Sequence, residues 1–206
     1  MKTIQKFRNF RWIALLFIAI AVVSCSDDDD AAPEEENELE VITDVTLVFT
    51  NDADPSDVVM ASAQDPDGEG ILDLVVQDAI TLTADTQYTL TFEIFNNLET
   101  PGEDIGEEIA DEDDEHQFFF SFTTDAFDSP AGNGNIDNAS DPINYNDQDD
   151  NGNPVGLSTT WTTPTTGTTE GMFTARLQHQ PGVKTDTSDA NDGDSDFNLM
   201  FVLNIQ

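Results

Sequence analysis

Apolar and polar residues alternate with a period of two along most of the chain after residue 40. Alternate side chains of a β-strand point to opposite faces of its sheet, so this pattern predicts strands with one buried face. The clearest examples are VTLVFT (45–50), YTLTFEIF (88–95), HQFFFSF (116–122), MFTARLQH (172–179) and FNLMFVLNIQ (197–206). Gly, Pro, Asn and Asp cluster between them, which is typical of turns.

Four more apolar segments bring the predicted total to about nine short strands, at the spacing of an antiparallel sandwich. They are DVVMASA (57–63), ILDLVV (71–76), AITLTA (79–84) and LSTTWTT (157–163). Only residues 101–116 allow a short helical turn, with Ile105 and Ile109 four positions apart. We therefore predict one all-β domain over residues 41–206, an antiparallel β-sandwich of immunoglobulin-like type.

The first 24 residues have the features of a lipoprotein signal peptide. Four basic residues precede an apolar run from Trp12 to Val23, which is shorter than the roughly 20 residues that span a bilayer. VVSC then places Cys25, the only cysteine, where a lipobox requires it. We expect cleavage before Cys25 and attachment to the membrane through acyl chains, without a spanning helix. The alternative is an ordinary signal peptide followed by a chance cysteine.

The composition of residues 25–40 predicts a disordered tether. SDDDDAAPEEENELE follows Cys25 and has too few apolar residues to offset the entropy of ordering. Its start, CSDDDD, resembles the acidic surface-export signal behind the lipidated cysteine of Bacteroidota lipoproteins. That resemblance implies an outer-membrane protein exposed at the cell surface. If the segment is only a solvated spacer, the domain faces the periplasm instead.

The charge of the chain excludes one class of partner. Without residues 1–24, only Arg176 and Lys184 stand against 43 acidic residues. Such a field repels nucleic acid and attracts cations, so nucleic-acid binding is excluded. The acidity fits either adaptation to saline surroundings or the binding of multivalent cations at particular loops, and the two explanations are compatible.

Two loops place oxygen-bearing side chains at alternating positions near a glycine, as the first half of a calcium loop does. The candidates are Asp147, Asp149 and Asn151 in NDQDDNG, and Asp65, Asp67 and Glu69 in DPDGEG. DANDGDSD, residues 189–196, is a third acidic tip. An EF-hand is excluded because Ser158 occupies the position of its bidentate glutamate. Calcium is thus a candidate cofactor, and the alternative is a set of Asx-rich hairpin tips closed by local hydrogen bonds.

The two histidines form a second candidate site. His116 and His179 each lie at a strand end, on the face shared with apolar residues. If the two strands are neighbours, the imidazoles meet, and Glu112, Asp113 or Glu115 could complete a site for zinc or copper. The alternative is two unrelated histidines that are hydrogen-bonded at the rim of the core.

Catalysis has little support in the sequence. The chain has no glycine-rich phosphate loop, no G-x-S-x-G elbow and no zincin motif, and lipidation removes its only thiol. We therefore predict a protein that is not an enzyme. Trp161 could serve as a sugar platform, but a core position suits its strand better.

Four stretches, in order, resemble a group of flavobacterial lipoproteins labelled "type 1 periplasmic binding fold superfamily protein". They are CSDDDD, PGEDIGEEIADEDDEHQFFFSF, YNDQDDNGNPVGL and ARLQHQPGVK, and together they span most of the chain after the signal peptide. The label implies strands alternating with helices around parallel sheets. The residue pattern predicts the all-β architecture instead, and the resemblance implies no activity.

Two functions follow as hypotheses. In the first, the protein is a surface-anchored, non-catalytic binding module for a cation or small ligand, serving an outer-membrane transporter. In the second, it is a structural or adhesive surface domain whose acidic loops bind calcium only for stability.

Overall fold

A computed structural model describes residues 40–65, 73–98 and 100–206, which belong to one compact unit. This part of the chain forms ten strands and one short helix. The elements are β1 Asp44–Asn51, β2 Val58–Gln64, β3 Val75–Val76, β4 Ile80–Leu82, β5 Gln87–Asn96, β6 Glu103–Asp104, α1 Ile105–Asp111, β7 His116–Phe122, β8 Ser158–Thr162, β9 Thr168–His179 and β10 Asp194–Ile205. The predicted signal peptide, Cys25 and all of the predicted tether except Glu40 lie outside the described residues.

The strands form two sheets. The first has the order β3-β2-β1-β5-β6, with β8 also paired to β5, and the second has the order β4-β10-β9-β7. Neighbours pair antiparallel except for β4 and β10, which are parallel. The two sheets pack face to face, so the predicted all-β sandwich is confirmed.

The core lies between the sheets, on the faces that the alternation predicts. Val45, Leu47 and Phe49 of β1 are all fully buried, and the alternate residues of β7, β9 and β10 meet them from the other sheet. Trp161 is also fully buried, with ring centroids of four phenylalanines 4.9 to 5.4 Å away. Its Nε1 donates to Thr159 Oγ1 at 2.7 Å, so this indole is a satisfied core residue.

The long connection between β7 and β8, residues 123–157, covers the free edge of β7. Phe118 N donates to Val155 O at 2.7 Å, Phe122 N to Asn133 O at 2.9 Å, and Asn135 N to Phe120 O at 2.8 Å. An uncovered edge strand would leave these backbone groups unpaired. We call residues 123–157 the edge cover.

Helix α1 is the short helical segment that the sequence allows, and Ile105 and Ile109 are its buried residues. The Asp104 side chain caps it by accepting from Glu107 N. The helix leads into β7 and so sets the position of the residues before His116. Over residues 40–65, 73–98 and 100–206, no helix combines the length and the apolar character needed to cross a bilayer.

Candidate metal centre

Strand pairing brings the two histidines together. In the antiparallel register of β7 and β9, His116 lies directly opposite His179. The imidazole rings stack in parallel, with centroids 4.6 Å apart and planes at 5°. Both side chains are buried, His116 completely. The juxtaposition on which the zinc or copper hypothesis depends is therefore present, although metal binding itself stays a prediction.

The end of helix α1 adds a carboxylate to the pair. Glu112 ends the helix through a bond from its backbone N to Glu108 O, and the chain then turns into β7. One carboxylate oxygen of Glu112 and one nitrogen of each histidine all lie within 4.8 Å of one another. The Glu112 side chain is exposed whereas the imidazoles are buried. Of the three acids that the sequence offers, Glu112 is the one in this cluster, while Glu115 lies 3.5 Å from His179 Nε2.

The hydrogen bonds of His116 leave one nitrogen open. Its Nδ1 lies 3.2 Å from the backbone O of Glu112, and a carbonyl oxygen only accepts. In the neutral ring, Nδ1 therefore carries the proton and Nε2 carries a lone pair. Nε2 is buried and has no hydrogen-bond partner among the described residues. Histidines that bind metals commonly donate their other ring N–H to a carbonyl in this way.

Burial, which is the largest cause, lowers the pKa of His116 to about 4 together with the neighbouring His179 and Lys184, and the bond to Glu112 opposes them. Burial has this effect because it disfavours the charged imidazolium. His116 is therefore neutral at physiological pH, which is the form that binds a metal ion.

A buried lysine binds the backbone of the segment between helix α1 and His116. Lys184 Nζ donates to Asp113 O at 2.6 Å and to His116 O at 2.8 Å, and it lies 3.5 Å from Asp149 Oδ2. Its side chain is 1 % exposed. Lys184 is not among the site residues that the sequence pattern predicts, although its being the only lysine after residue 24 is a signal that could have identified it.

Two acids from distant parts of the chain, Glu40 and Asp196, meet each other, and Asp196 lies near His179. Glu40 N donates to Asp196 Oδ1 at 3.3 Å, and Asp196 Oδ2 is buried without a partner among the described residues. Burial, the largest cause, raises the pKa of Asp196 to about 6 even though His179 lies near enough to lower it. Burial and the neighbouring carboxylates, Glu108 first, raise the pKa of Glu40 to about 7.

The calcium candidate at residues 147–151 forms a turn that is closed by its own backbone. Asp147 accepts from Gly156 N at 2.7 Å and from Ser158 N at 2.9 Å. Asp149 Oδ1 accepts from Asn151 N at 2.9 Å and from Asn153 N at 2.8 Å. These contacts favour the polar hairpin tip, and calcium binding at this loop remains a prediction.

The second calcium candidate is only partly described. Asp65 follows β2, and its backbone N donates to Thr43 O at 2.9 Å, whereas Asp67 and Glu69 lie outside the described residues. In the third acidic tip, Asp192 Oδ2 accepts from Asp189 N at 2.9 Å. Asp196 belongs to strand β10 and lies beside the histidines rather than in a loop.

Comparison of the chain with protein-family models, curated proteins and solved structures gave no match. Fold and site therefore define the class: a β-sandwich that carries a buried histidine pair and a helix-end carboxylate at one end of its second sheet. The resemblance to the flavobacterial lipoproteins stays an expectation from the sequence.

Proposed function

We propose that this protein is a lipid-anchored outer-membrane lipoprotein, exposed at the cell surface, that binds a transition-metal cation without catalysis. Zn²⁺ or Cu²⁺ would be held by His116, His179 and Glu112, for transfer to an outer-membrane transporter. The observation that carries the proposal is that one ligand atom of Glu112 and one of each of the chain's only two histidines lie within 4.8 Å of one another. Because an imidazole lone pair lies in the plane of its ring, the stacked rings must turn out of parallel to bind one ion together. Cys25 would provide the anchor.

The chemistry of the donors favours a metal of this class. Two imidazole nitrogens and one carboxylate suit zinc and copper, whereas calcium prefers six to eight oxygens. The surplus of acids over bases in the chain concentrates cations near the site.

The test is a titration of the full-length protein in detergent with Zn²⁺, Cu²⁺, Ca²⁺ and Mg²⁺ at fixed ionic strength. A competing chromogenic chelator reports affinity, and the electron paramagnetic resonance spectrum of Cu²⁺ reports coordinated nitrogen. We expect saturable binding of one Zn²⁺ or Cu²⁺ and nitrogen couplings that are lost in His179→Gln.

Charge-matched variants separate the site from general acidity. Glu112→Gln and Glu107→Gln each remove one exposed carboxylate at helix α1, but only Glu112 belongs to the cluster. Loss of a ligand weakens binding by about tenfold or more, so Glu112→Gln should do this and Glu107→Gln should not. The proposal is wrong if Glu112→Gln and Glu107→Gln bind Zn²⁺ or Cu²⁺ equally well. It is also wrong if the wild-type protein binds Zn²⁺ and Cu²⁺ no better than Mg²⁺.

The alternative function, a structural or adhesive surface domain with calcium-stiffened loops, gives a different result in the same titration. Calcium would then raise the melting temperature where magnesium does not, and Asp147→Asn or Asp65→Asn would remove that effect. Binding only to the folded state at a hundredfold excess over Kd stabilises by about 2.7 kcal/mol, which a melting curve resolves.

A further inference from the structure

Exposed apolar side chains gather on one side of the sandwich, where β2 and β3 end the first sheet and β4 and β10 end the second. Strands β2 and β4 lie near each other there, as do β3 and β10. Six of the eight large apolar side chains that are exposed among the described residues belong to β2, β3, β10 or the adjacent β9, namely Val58, Met60, Val75, Met172, Met200 and Val202. Such clustering is typical of an interaction surface, whereas single exposed apolar residues are ordinary.

Strand β10 has an open edge on this side. Strand β9 pairs with β10 along its whole length, but β4 pairs with the other edge only at Leu203–Ile205. Backbone groups of successive residues point alternately to the two edges of a strand, and the N–H of Gln206 bonds β4. Asn198, Met200 and Val202 therefore direct their N–H and C=O groups to the edge that β4 does not reach, and no described residue bonds these groups.

The fold covers comparable edges elsewhere. The edge cover bonds β7, and it also bonds β8, where Thr160 N donates to Asn144 O at 2.9 Å. Open edges are commonly protected by a charge, a proline or a bulge. Strand β10 has a bulge between Ser195 and Phe197, but FNLMFV, residues 197–202, contains neither a charge nor a proline. An unprotected edge of this kind is a template for an added strand.

Both faces of the sheet beside the open edge are apolar. On the inner face, Phe197 and Leu199 keep a small exposed fraction. On the outer face, Met200 and Val202 are 55 % and 48 % exposed, and Met172 of β9 lies opposite Val202. Side chains on either face of an added strand would therefore have apolar neighbours.

The charges around the edge favour a cationic partner. Asp194 is exposed at one end of the open stretch, and Asp78 is exposed just before β4, which begins where the open stretch ends. Arg176 lies opposite Asn198, but it is only partly buried on β9 and its Nε donates to Gln178. A second copy of the chain would bring another 43 acidic residues against six basic ones, so self-association is opposed by charge.

We propose that the open edge of β10 binds an extended, positively charged segment of a partner protein, which adds a strand in line with β4. The segment pairs its backbone with Asn198, Met200 and Val202, and basic side chains at its ends contact Asp194 and Asp78. Backbone pairing supplies affinity, while the apolar neighbours and the terminal charges select the segment.

The test uses the full-length protein in detergent and three synthetic peptides. In the first, alternating valine and threonine lie between two terminal lysines. The second has glutamates in place of the lysines, and the third has a proline at its centre. Calorimetry measures affinity, and NMR follows hydrogen exchange at the amides of Asn198, Met200 and Val202. We expect the first peptide to bind at least about tenfold more tightly than the other two and to slow exchange at these amides.

Several results would overturn the proposal. Slow exchange at the three amides in the free protein would show that the edge is already covered. Absence of binding by the lysine peptide, or equal binding of the lysine and glutamate peptides, would exclude a cationic partner. Protection that appears without peptide as the protein concentration rises would assign the edge to a second copy of the chain.

Variants of the protein fix the location. Proline is tolerated in an edge strand where the N–H faces outward, so Met200→Pro should abolish peptide binding and Met200→Leu should retain it. Val202→Lys adds a like charge at the edge, and Val183→Lys adds it at a similarly exposed valine in the loop after β9. We expect only Val202→Lys to weaken binding, by about tenfold. If Met200→Pro lowers the melting temperature, the lysine pair decides, and equal binding by both lysine variants would refute the assignment.

Discussion

At the scale of single residues, Lys184 connects the two constellations that the sequence suggested separately. Its ammonium group contacts Asp149 of the acidic turn, and it donates to the carbonyls of Asp113 and His116 beside the candidate metal centre. The Asp149 side chain is fully buried. Burial lowers the pKa of Lys184, while the pKa of Asp149 stays below its usual value because backbone and side-chain bonds and Lys184 outweigh its burial.

Lys184→Met should destabilise the fold by about 3 kcal/mol, because it leaves a buried carboxylate uncompensated and two carbonyls without a donor. Urea unfolding at pH 7 measures this. Arg176→Met is the matched control. It also removes one of the two cations, but Arg176 is only partly buried, and its Nε donates to Gln178 Oε1 at 2.8 Å.

Two results would contradict this role for Lys184. Equal destabilisation by Lys184→Met and Arg176→Met would mean that general charge balance matters rather than the buried contacts. Adding Asp149→Asn to Lys184→Met should recover part of the loss, because it removes the unpaired charge. Strict additivity of the two substitutions would show that the pair is not coupled.

At the scale of elements, the stability of the second sheet depends on how β7 is covered. The edge cover approaches so closely that a Cβ on Gly134 would lie 2.2 Å from Phe120 O. Gly134 also has φ of +92°, a conformation that other residues rarely adopt. A glycine at this position is therefore required both by space and by backbone conformation.

Gly134→Ala should destabilise the protein by at least about 2 kcal/mol more than Gly132→Ala does. Gly132 has a similar φ of +98°, but nothing lies within 4 Å of its would-be Cβ, so that variant has only the backbone strain. Hydrogen exchange at the amides of Phe120 and Phe122, which the edge cover binds, should accelerate selectively in Gly134→Ala. Equal unfolding free energies for the two alanine variants would refute a role for the close approach.

At the scale of the whole molecule, folding collects acids from distant parts of a very acidic chain. Glu40 precedes β1, Glu108 lies in α1, and Asp196 lies in β10, yet the three act on one another near the histidine pair. Burial is the first cause that raises the pKa of each of them. Their ionised forms are therefore a cost to the folded state.

This arrangement predicts an unusual pH dependence in the metal-free protein. A raised pKa means that the folded state binds more protons than the unfolded state, so stability should grow as the pH falls from 8 to about 5, while first Glu40 and then Asp196 protonate. His116 has the opposite effect, because its pKa is lowered from 6.5 to about 4 in the folded state. As the pH falls below 6.5, the unfolded state binds a proton at this residue and the folded state does not, so the protein loses stability. We expect the melting temperature in EDTA to rise as the pH falls from 8 to about 5, because the two acids together gain more than the histidine loses, so that the optimum lies at or below about pH 5.

Asp196→Asn should raise stability at pH 8 by about 2 kcal/mol and move the optimum to higher pH, because it removes a buried charge. Asp73→Asn, at an exposed position two residues before β3, removes the same formal charge as a control. Thermal melts of both variants from pH 5 to pH 8 give the comparison. Indistinguishable profiles would show that overall acidity, rather than this buried carboxylate, sets the pH dependence.

The sequence by itself determined the all-β class, most of the strands and their buried faces. Alternate residues of a strand lie on opposite faces of its sheet, so the alternation of apolar and polar residues is a local pattern that shows which face is buried. It also placed His116 and His179 on buried faces at strand ends. The tertiary structure decided that β7 and β9 pair in the register that stacks them, and that Glu112 joins them. Likewise only the fold brought Lys184 to Asp149 and the edge cover to β7. These contacts join residues far apart in the chain, and no local pattern encodes which strand or loop becomes the neighbour of another.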